Sequence, residues 1–321
     1  MPRYNRNMLL MSKVEPTAGV DAVPTAAADS VLIVENVDIT PIEITYAQRK
    51  LLLPYFGTSQ DLLGTYFSKI SFSVEAAGSG TAGTSAPWGR LLLGCGVAEA
   101  SLTTPTRVES TPISTALKTL SHYLNDDGVQ HKLLGSMGSA KFSAKMGETP
   151  KWMFDFIGAY TPGTAVVLPA ATLTAWKIPK PMNKSNVVDI TIGCTYAAGA
   201  LAGGTVFPST GLEIDFGNKT SFFSTLSSER AEMTDRDSKA SFELELTAAQ
   251  EVTALADLVA NTTTGLGFTI GSLAGEQLIF HAPAMQRTSL KKVDKDGVRL
   301  IGFDAKLVPV SGNDEWRFVQ K

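Results

Sequence analysis

The sequence has few charged side chains and few residues of the kinds that carry chemistry. Charged residues make up 18% of its 321 positions, the net charge is −3, and there are two cysteines and three histidines. Without an excess of basic residues, a surface that grips nucleic acid is not predicted. Cys95 and Cys194 stand far apart without a C-x-x-C spacing, so neither a disulfide framework nor a zinc site is expected. The thin charge coat suggests that other copies of the chain cover much of its surface.

Long apolar runs are also absent. No run approaches the roughly 18 residues that a membrane-spanning helix needs. The first residues lack the apolar segment and the small-residue cleavage site of a signal peptide. We therefore expect a protein made in a cytosol, with no membrane insertion.

Motifs for catalysis or cofactor binding are weak. Residues 78–83 (GSGTAG) satisfy the glycine spacing of a dinucleotide site, but the strand before them is half polar and no βαβαβ alternation follows. His122, His131 and His281 form no close ligand pair, although His122 and His131 straddle a predicted hairpin turn. A phosphate loop and a serine nucleophile motif are missing. The sequence therefore predicts no enzyme, no cofactor and no metal site, and residues 78–83 are interpreted as a strand-to-helix loop.

The periodicity is mainly of the β type. Residues 69–75 alternate, with Ile, Phe and Val on one side and Lys, Ser and Glu on the other, which is typical of a strand with one buried face. Further strands are predicted at 31–34, 141–144, 151–160, 187–192 and 212–216, and a hairpin at 118–134 turns at Asp127 and Gly128. A short amphipathic helix is expected at 88–95.

The second half of the chain repeats the first. Residues 68–75 (SKISFSVE) match residues 238–245 (SKASFELE) at a spacing of 170 positions, and a helix follows each copy. The second helix starts with a Thr247–Gln250 capping box and carries Val252, Leu255, Ala256 and Val259 on one face. The Asp-Gly turns at 127–128 and 296–297 lie at nearly the same spacing, which indicates an internal duplication.

The expected fold class is therefore mostly β (α+β), with two tandem domains, each an antiparallel sandwich or barrel-like unit with one flanking helix. The predicted divisions are an N-terminal arm at 1–29, a first domain at 30–165, a linker at 166–185 and a second domain at 186–321. The arm, which contains three prolines, is expected to have no core of its own and to lie on a neighbouring copy.

Several segments resemble the major tail-tube proteins of long, non-contractile bacteriophage tails. The resemblance rests on residues 13–25, the strand, loop and helix at 68–96, residues 127–132 and the closing segment 309–315. It implies a virion structural protein assembled in the cytoplasm of the host bacterium, with its sheets joined between neighbours into the wall of a hollow tube. Six domains form a ring in such tubes, so a trimer of two-domain chains with pseudo-sixfold symmetry is expected, with a hexamer as the alternative. The implied partners are other copies, the tape-measure protein and DNA in the lumen, and the tail terminator and distal tail proteins at the ends.

Two sets of residues are candidates for function within such a tube. The polar strand faces, with Glu75, Glu243 and Glu245, are predicted to line the lumen, because a basic lining would retain DNA. Contacts between stacked rings are predicted for apolar residues expected to lack strand partners in the arm and in the segment at 51–67, namely Met8, Leu9, Leu10, Leu52, Pro54, Tyr55 and Phe56. The alternatives are a tube subunit of a contractile tail or injection machine, and a glycan-binding virion decoration protein.

Overall fold

The computed structural model describes residues 3–4, 6–34 and 37–321. It consists of a 17-stranded sheet, two two-stranded sheets and two helices within these residues, so the expectation of a mostly β fold is confirmed. The elements of the first half are β1 (Met8–Val14), β2 (Ser30–Val31), β3 (Asp38–Ala47), β4 (Leu62–Glu75), α1 (Gly89–Leu93), β5 (Val97–Thr103), β6 (Thr106–Pro112), β7 (Leu120–Asp126), β8 (Val129–Lys145) and β9 (Lys151–Ala165).

The second half begins after a segment without regular structure. Its elements are β10 (Val187–Ile192), β11 (Thr195–Ala197), β12 (Ala200–Ala202), β13 (Thr205–Phe207), β14 (Ser209–Asp215), β15 (Asn218–Ser224), β16 (Glu229–Arg236), β17 (Lys239–Leu244), α2 (Ala248–Val259), β18 (Thr263–Ile270), β19 (Leu278–Lys295), β20 (Val298–Leu307) and β21 (Arg317–Gln320).

Eight antiparallel strands form one continuous layer, which we call the wall sheet. Its strand order is β3, β4, β9, β8, β14, β17, β20, β19, with four strands from each half of the chain. The two halves meet where residues 141–145 of β8 pair with residues 211–215 of β14. We call this junction the internal seam.

Two further groups of strands pack against the wall sheet. The first group is β2, β1 and β7 beside the first part of β8, and the second is β5, β6, β21, β18, β10 and β13 around the first part of β19. Side chains from both layers form one core, which includes Leu10, Phe72, Phe242 and Phe318. Burial of these apolar surfaces is the main driving force for the fold.

The pairing pattern repeats between the halves. Strand β4 pairs with β9, which pairs with β8, and in the second half β17 pairs with β20, which pairs with β19. The two Asp-Gly turns are not equivalent in this repeat, contrary to the sequence-based alignment. Asp127-Gly128 connects β7 to β8, whereas Asp296-Gly297 connects β19 to β20. Two-residue hairpin loops favour Asp-Gly wherever they occur. The same two residues therefore appear in both turns although the turns occupy different positions in the repeat.

The helices differ in how they are packed. Helix α1 is short and its Leu91 and Leu92 are fully buried. Helix α2 begins with the predicted capping box of Thr247 and Gln250, but only Ala254 is buried within it. The apolar face of Val252, Leu255 and Val259 lies outward rather than on the core.

The N-terminal segment is part of the fold, which corrects the expectation of an arm without a core. Strand β1 pairs along its whole length with β7, and Leu9 and Leu10 are buried. The next residues are anchored by Glu15, which is buried. The alternation signal was weak here because β1 is buried on both sides, at residues 9–12.

The segment expected as a linker, 166–185, forms no helix or strand. It runs across the first half, where the Trp176 indole Nε1 donates a hydrogen bond to the Ser30 carbonyl at 3.1 Å. Met182 is buried and exchanges backbone hydrogen bonds with the turn at 147–148. The segment is therefore packed on the domain that precedes it.

A second junction between the halves lies in the strands that pack against the wall sheet. Glu109 of β6 accepts a hydrogen bond from the Tyr196 hydroxyl at 2.6 Å and lies 3.3 Å from Arg317 of β21. Burial and this hydrogen bond raise the pKa of Tyr196 to about 12. The carboxylate therefore ties the β5–β6 hairpin of the first half to the second half.

Candidate assembly surfaces

One face of the wall sheet is polar over the area that the β15–β16 hairpin leaves uncovered. Successive strand residues point to opposite faces, so the neighbours of the core residues Phe72, Phe154 and Phe242 point away from the core. This places Glu75 and Glu243 on the outward face, which we call the polar face. Glu245 follows the end of β17 in the same alternation and is exposed. The three glutamates predicted from sequence therefore share one face.

Lysines accompany the acidic residues of the polar face. At the internal seam the Glu213 carboxylate lies 2.7 Å from Lys145 Nζ and 3.3 Å from Lys141 Nζ. Farther along, Lys291 lies 3.0 Å from Asp304. Burial alone would raise the pKa of Glu213, but the hydrogen bond from Lys145 and the charges of both lysines more than offset it, so this pKa is lowered. The face therefore carries paired charges of both signs, whereas only its glutamates were predicted from sequence to line the lumen.

The wall sheet has two open edges. Among the described residues, β3 pairs only with β4, and residues 287–295 of β19 pair only with β20. Such edges carry unpaired backbone N–H and C=O groups that can pair with another chain. Within the chain, the corresponding edge of β8 is covered by β14. The open edges thus leave backbone donors and acceptors available for pairing.

The loop at 48–61 is an exposed apolar surface. Leu52 and Phe56 are fully exposed and Tyr55 is 67% exposed, with Pro54 also exposed. The loop connects β3 and β4, and residues 62–67 belong to β4 rather than to an unpaired segment. Its apolar side chains do not pack into the core of the single chain.

The N-terminal residues predicted to join rings are placed differently. Met8 is half-buried, and Leu9 and Leu10 are buried against other residues of the same chain. Their side chains are used within the fold. The outward face of α2, where Val259 is 83% exposed, is a second apolar surface, one whose orientation the sequence did not indicate.

The two histidines beside the predicted hairpin turn are not opposite each other. His122 is fully buried beside Phe156, and its pairing places it opposite Leu133 rather than His131. No cluster of three or more potential metal ligands occurs among the described residues. Both cysteines are free and buried, and burial raises the pKa of each thiol.

The glycine-rich loop at 78–83 packs against the second half of the chain. The Gly80 amide donates a hydrogen bond to the Gly275 carbonyl at 2.9 Å. A Cβ atom at Gly78 would lie 2.2 Å from the same carbonyl oxygen, so only glycine permits this approach. The glycine pattern is therefore explained by packing. In the parts of the chain that the structure describes, no helix has the length and apolar character to cross a membrane.

The fold and its surfaces define a β-rich subunit suited to assembly through strand edges. A family model described as phage tail tube protein matches residues 6–314. This match covers nearly the whole chain, and the chain belongs to the phage tail tube protein family. Comparison with curated proteins gives no match. The family identifies a structural component of the virion tail, which confirms the resemblance found in the sequence at this level.

Proposed function

We propose that the chain is the subunit of the tube of a long, non-contractile phage tail, that its rings stack into a hollow tube, and that the lumen conducts the viral genome into the host. The single observation that carries this proposal is the internal seam, where two equivalent four-strand units already join edge to edge within one chain. The same kind of join between chains would continue the wall. The proposed role is structural and requires no catalysis and no cofactor.

Three chains per ring are the proposed stoichiometry. Three chains supply six four-strand units, so that about 24 strands, at a spacing of roughly 4.8 Å and a tilt of about 40°, close a backbone circle of about 48 Å diameter. Side chains narrow this bore by roughly 10 Å, which leaves room for a DNA duplex. A ring of six chains is the alternative. Head-to-tail contacts of this type close into rings when the rotation between units permits it.

The polar face is proposed to line the lumen, with Glu75, Glu243 and Glu245 directed into it. The ion pairs of Glu213 and Asp304 with lysines support this role, because neutralised lysines offer few free cations to the phosphates of DNA. A reconstruction of the assembled tube tests the placement. Density for these glutamates on the outer surface of the tube would refute it.

The exposed loop at 48–61 is proposed to contact the next ring of the stack. The matched test replaces Leu52, Tyr55 and Phe56 with serine, and the control replaces Val167 and Ile178, which are 88% and 92% exposed. Rings that no longer stack are expected only for the loop variant. Deletion of the N-terminal residues is unsuitable as a test, because β1 pairs with β7 inside the fold.

Other tail proteins complete the proposed assembly. The tape-measure protein and DNA would occupy the lumen, and the tail terminator and distal tail proteins would contact the two ends. A tube of a contractile tail or injection machine is the alternative. Micrographs of virions would decide between them, since a sheath around the tube marks the contractile type.

Negative-stain electron microscopy of the purified protein over a series of concentrations is the direct test. Stacked rings or hollow tubes with a central channel are expected at high concentration. Uniform small particles at every concentration would contradict self-assembly of the chain. The rotational symmetry of end views gives the number of units in each ring.

A further inference from the structure

The internal seam provides a template for the contact between chains. The strand registers identify equivalents at the open edges for the three charged residues of the seam, Lys141, Lys145 and Glu213. The matched segments 68–75 and 238–245 make Ser71 equivalent to Ser241 and Phe72 equivalent to Phe242. The use of the seam as a template rests on the proposed function, because it assumes that chains join edge to edge as the halves do.

The equivalents on β19 are identified by the pairings of β4 and β17. Phe72 pairs with Phe154, which pairs with Ala140, and Phe242 pairs with Phe303, which pairs with Leu290. Ala140 of β8 is therefore equivalent to Leu290 of β19. One and five residues later, β8 carries Lys141 and Lys145, and β19 carries Lys291 and Lys295.

The equivalent of Glu213 lies on β3. Glu213 pairs with Ser241, and Asp38 pairs with Ser71. Since Ser241 and Ser71 are equivalent, Asp38 occupies the position on β3 that Glu213 occupies on β14. The acidic residue of the seam is thus repeated at one open edge, and its two lysines are repeated at the other.

We propose that Lys291 and Lys295 of one copy clamp Asp38 of the next copy, in the register that Lys141, Lys145 and Glu213 adopt inside the chain. Residues 291–293 of β19 would pair antiparallel with residues 38–40 of β3 in the next copy. This pairing extends the wall sheet without a break and keeps the polar residues of both strands on one face. The partner is a second copy of this chain.

Two of the three charges of the clamp lack partners among the described residues. Neither Asp38 nor Lys295 makes an ion pair or side-chain hydrogen bond with another described residue. The Lys291 ammonium is paired with Asp304 of its own sheet and would also have to reach Asp38 of the next copy. At the internal seam, by contrast, Glu213 is bracketed by both of its lysines. Lysines on an open strand also discourage nonspecific pairing with other chains. That role does not explain why the other open edge carries Asp38 where β14 carries Glu213.

Charge reversal tests the clamp. Lys291→Glu with Lys295→Glu, and separately Asp38→Lys, should each raise the protein concentration for half-maximal assembly by about tenfold or more, because attraction is replaced by repulsion at every contact between chains. The triple variant, which carries all three reversals, should restore assembly. The control, Lys239→Glu with Lys306→Glu, makes the same charge change on the same face away from the edge. Circular dichroism checks that each variant is folded.

A mixture of the two reversed variants tests the geometry further. In the first variant both edges are acidic, and in the second both are basic. An edge of one variant therefore attracts only an edge of the other, so the two variants must alternate around a ring. An even number of chains permits alternation and an odd number does not. Rescue by mixing would support the clamp in a ring of six chains. Rescue by the triple variant without rescue by mixing would support the clamp in a ring of three.

Two results would overturn the inference. Reversed variants that assemble like the wild type, or a folded triple variant that fails to assemble, would refute the clamp while the wild-type tubes leave the proposed function intact. A wild-type chain that forms neither rings nor tubes would instead refute the proposed function, and the clamp with it.

Discussion

The rings of Phe67 and Phe222 stack with their centroids 5.3 Å apart and their planes at 25°. Phe67 belongs to β4 of the first half, and Phe222 lies on the β15–β16 hairpin of the second half. This hairpin folds back over the wall sheet, where Phe222 and Met233 pack around Met137 and Ile157. The contact therefore holds the β15–β16 hairpin of the second half against the strands of the first half.

Replacing Phe222 should loosen this hairpin. Phe222→Ala removes a half-buried ring, and we expect the free energy of unfolding to fall by about 1–3 kcal/mol. Phe223 points to the opposite side of the same strand and is 47% exposed, so Phe223→Ala is the matched control, with an expected change below about 0.5 kcal/mol. Urea unfolding followed by tryptophan fluorescence measures both. Equal effects of the two substitutions would contradict the packing role of Phe222.

Glu15 is a buried acceptor for the chain around it. Its carboxylate accepts hydrogen bonds from the backbone amides of Gly19 and Gly135, each at 2.7 Å, and from the hydroxyls of Thr119 and Ser121 at 2.6 and 2.7 Å. Glu15→Ala would leave these donors without an acceptor. We expect a loss of about 2–4 kcal/mol in the free energy of unfolding.

The exposed Glu245 provides the control for this substitution. Glu245→Ala should change the free energy of unfolding by less than about 0.5 kcal/mol. Thermal unfolding followed by circular dichroism compares the two variants. A midpoint for Glu15→Ala that matches the wild type would show that the other contacts of the segment hold it without the carboxylate.

His122 should make the protein sensitive to acid. Burial lowers its pKa from 6.5 to about 3, and neither ring nitrogen has a hydrogen-bond partner among the described residues. Below pH 6.5 the unfolded chain therefore binds a proton that the folded chain excludes. The stability due to the neutral ring is complete above pH 6.5 and is lost as the pH falls toward 3. By pH 5 this loss amounts to about 2 kcal/mol.

His122→Leu should remove this part of the pH dependence. The difference in free energy of unfolding between pH 7.5 and pH 5.0 is expected to shrink by about 2 kcal/mol. Urea unfolding at both pH values measures it, at protein concentrations where the chain is monomeric. If the wild type and His122→Leu show the same difference between the two pH values, the pKa of His122 is the same in the folded and the unfolded chain.

The C-terminal strand β21 should be essential for both halves. It pairs with β6 of the first half and β19 of the second, and Trp316, Phe318 and Val319 are buried. Deleting residues 316–321 removes these side chains together, and we expect a loss of more than about 4 kcal/mol. Near-ultraviolet circular dichroism should lose its tryptophan signal. Retention of a native spectrum and unfolding midpoint would show that β21 is dispensable.

Local patterns in the sequence predicted many elements well. The strand expected at 187–192 is β10, the hairpin around Asp127 is β7 and β8, and the capping box of Thr247 starts α2. Each of these signals depends on residues close in sequence, such as alternation, a two-residue turn or a cap.

The errors concern residues whose environment depends on distant parts of the chain. Leu9 and Leu10 lie in a segment rich in proline and small residues, and only β7 makes them core. The outward face of α2 could not be foreseen, since periodicity identifies an apolar face but not what it contacts. The sequence does not indicate the ion pairs of the internal seam, because Glu213 is about 70 positions away from its lysines.

The sequence by itself determined the mostly β class, the repeated strand and helix, and the likeness to the phage tail tube family, because alternation and repeated motifs are written in neighbouring residues. Only the tertiary structure decided that the two halves share one wall sheet, that β3 and β19 are its open edges, and that Asp38 and Lys291 repeat the seam of Glu213 and Lys141. Strand pairing joins backbone groups, which are the same in every residue, so register and partner are selected by packing across the whole chain.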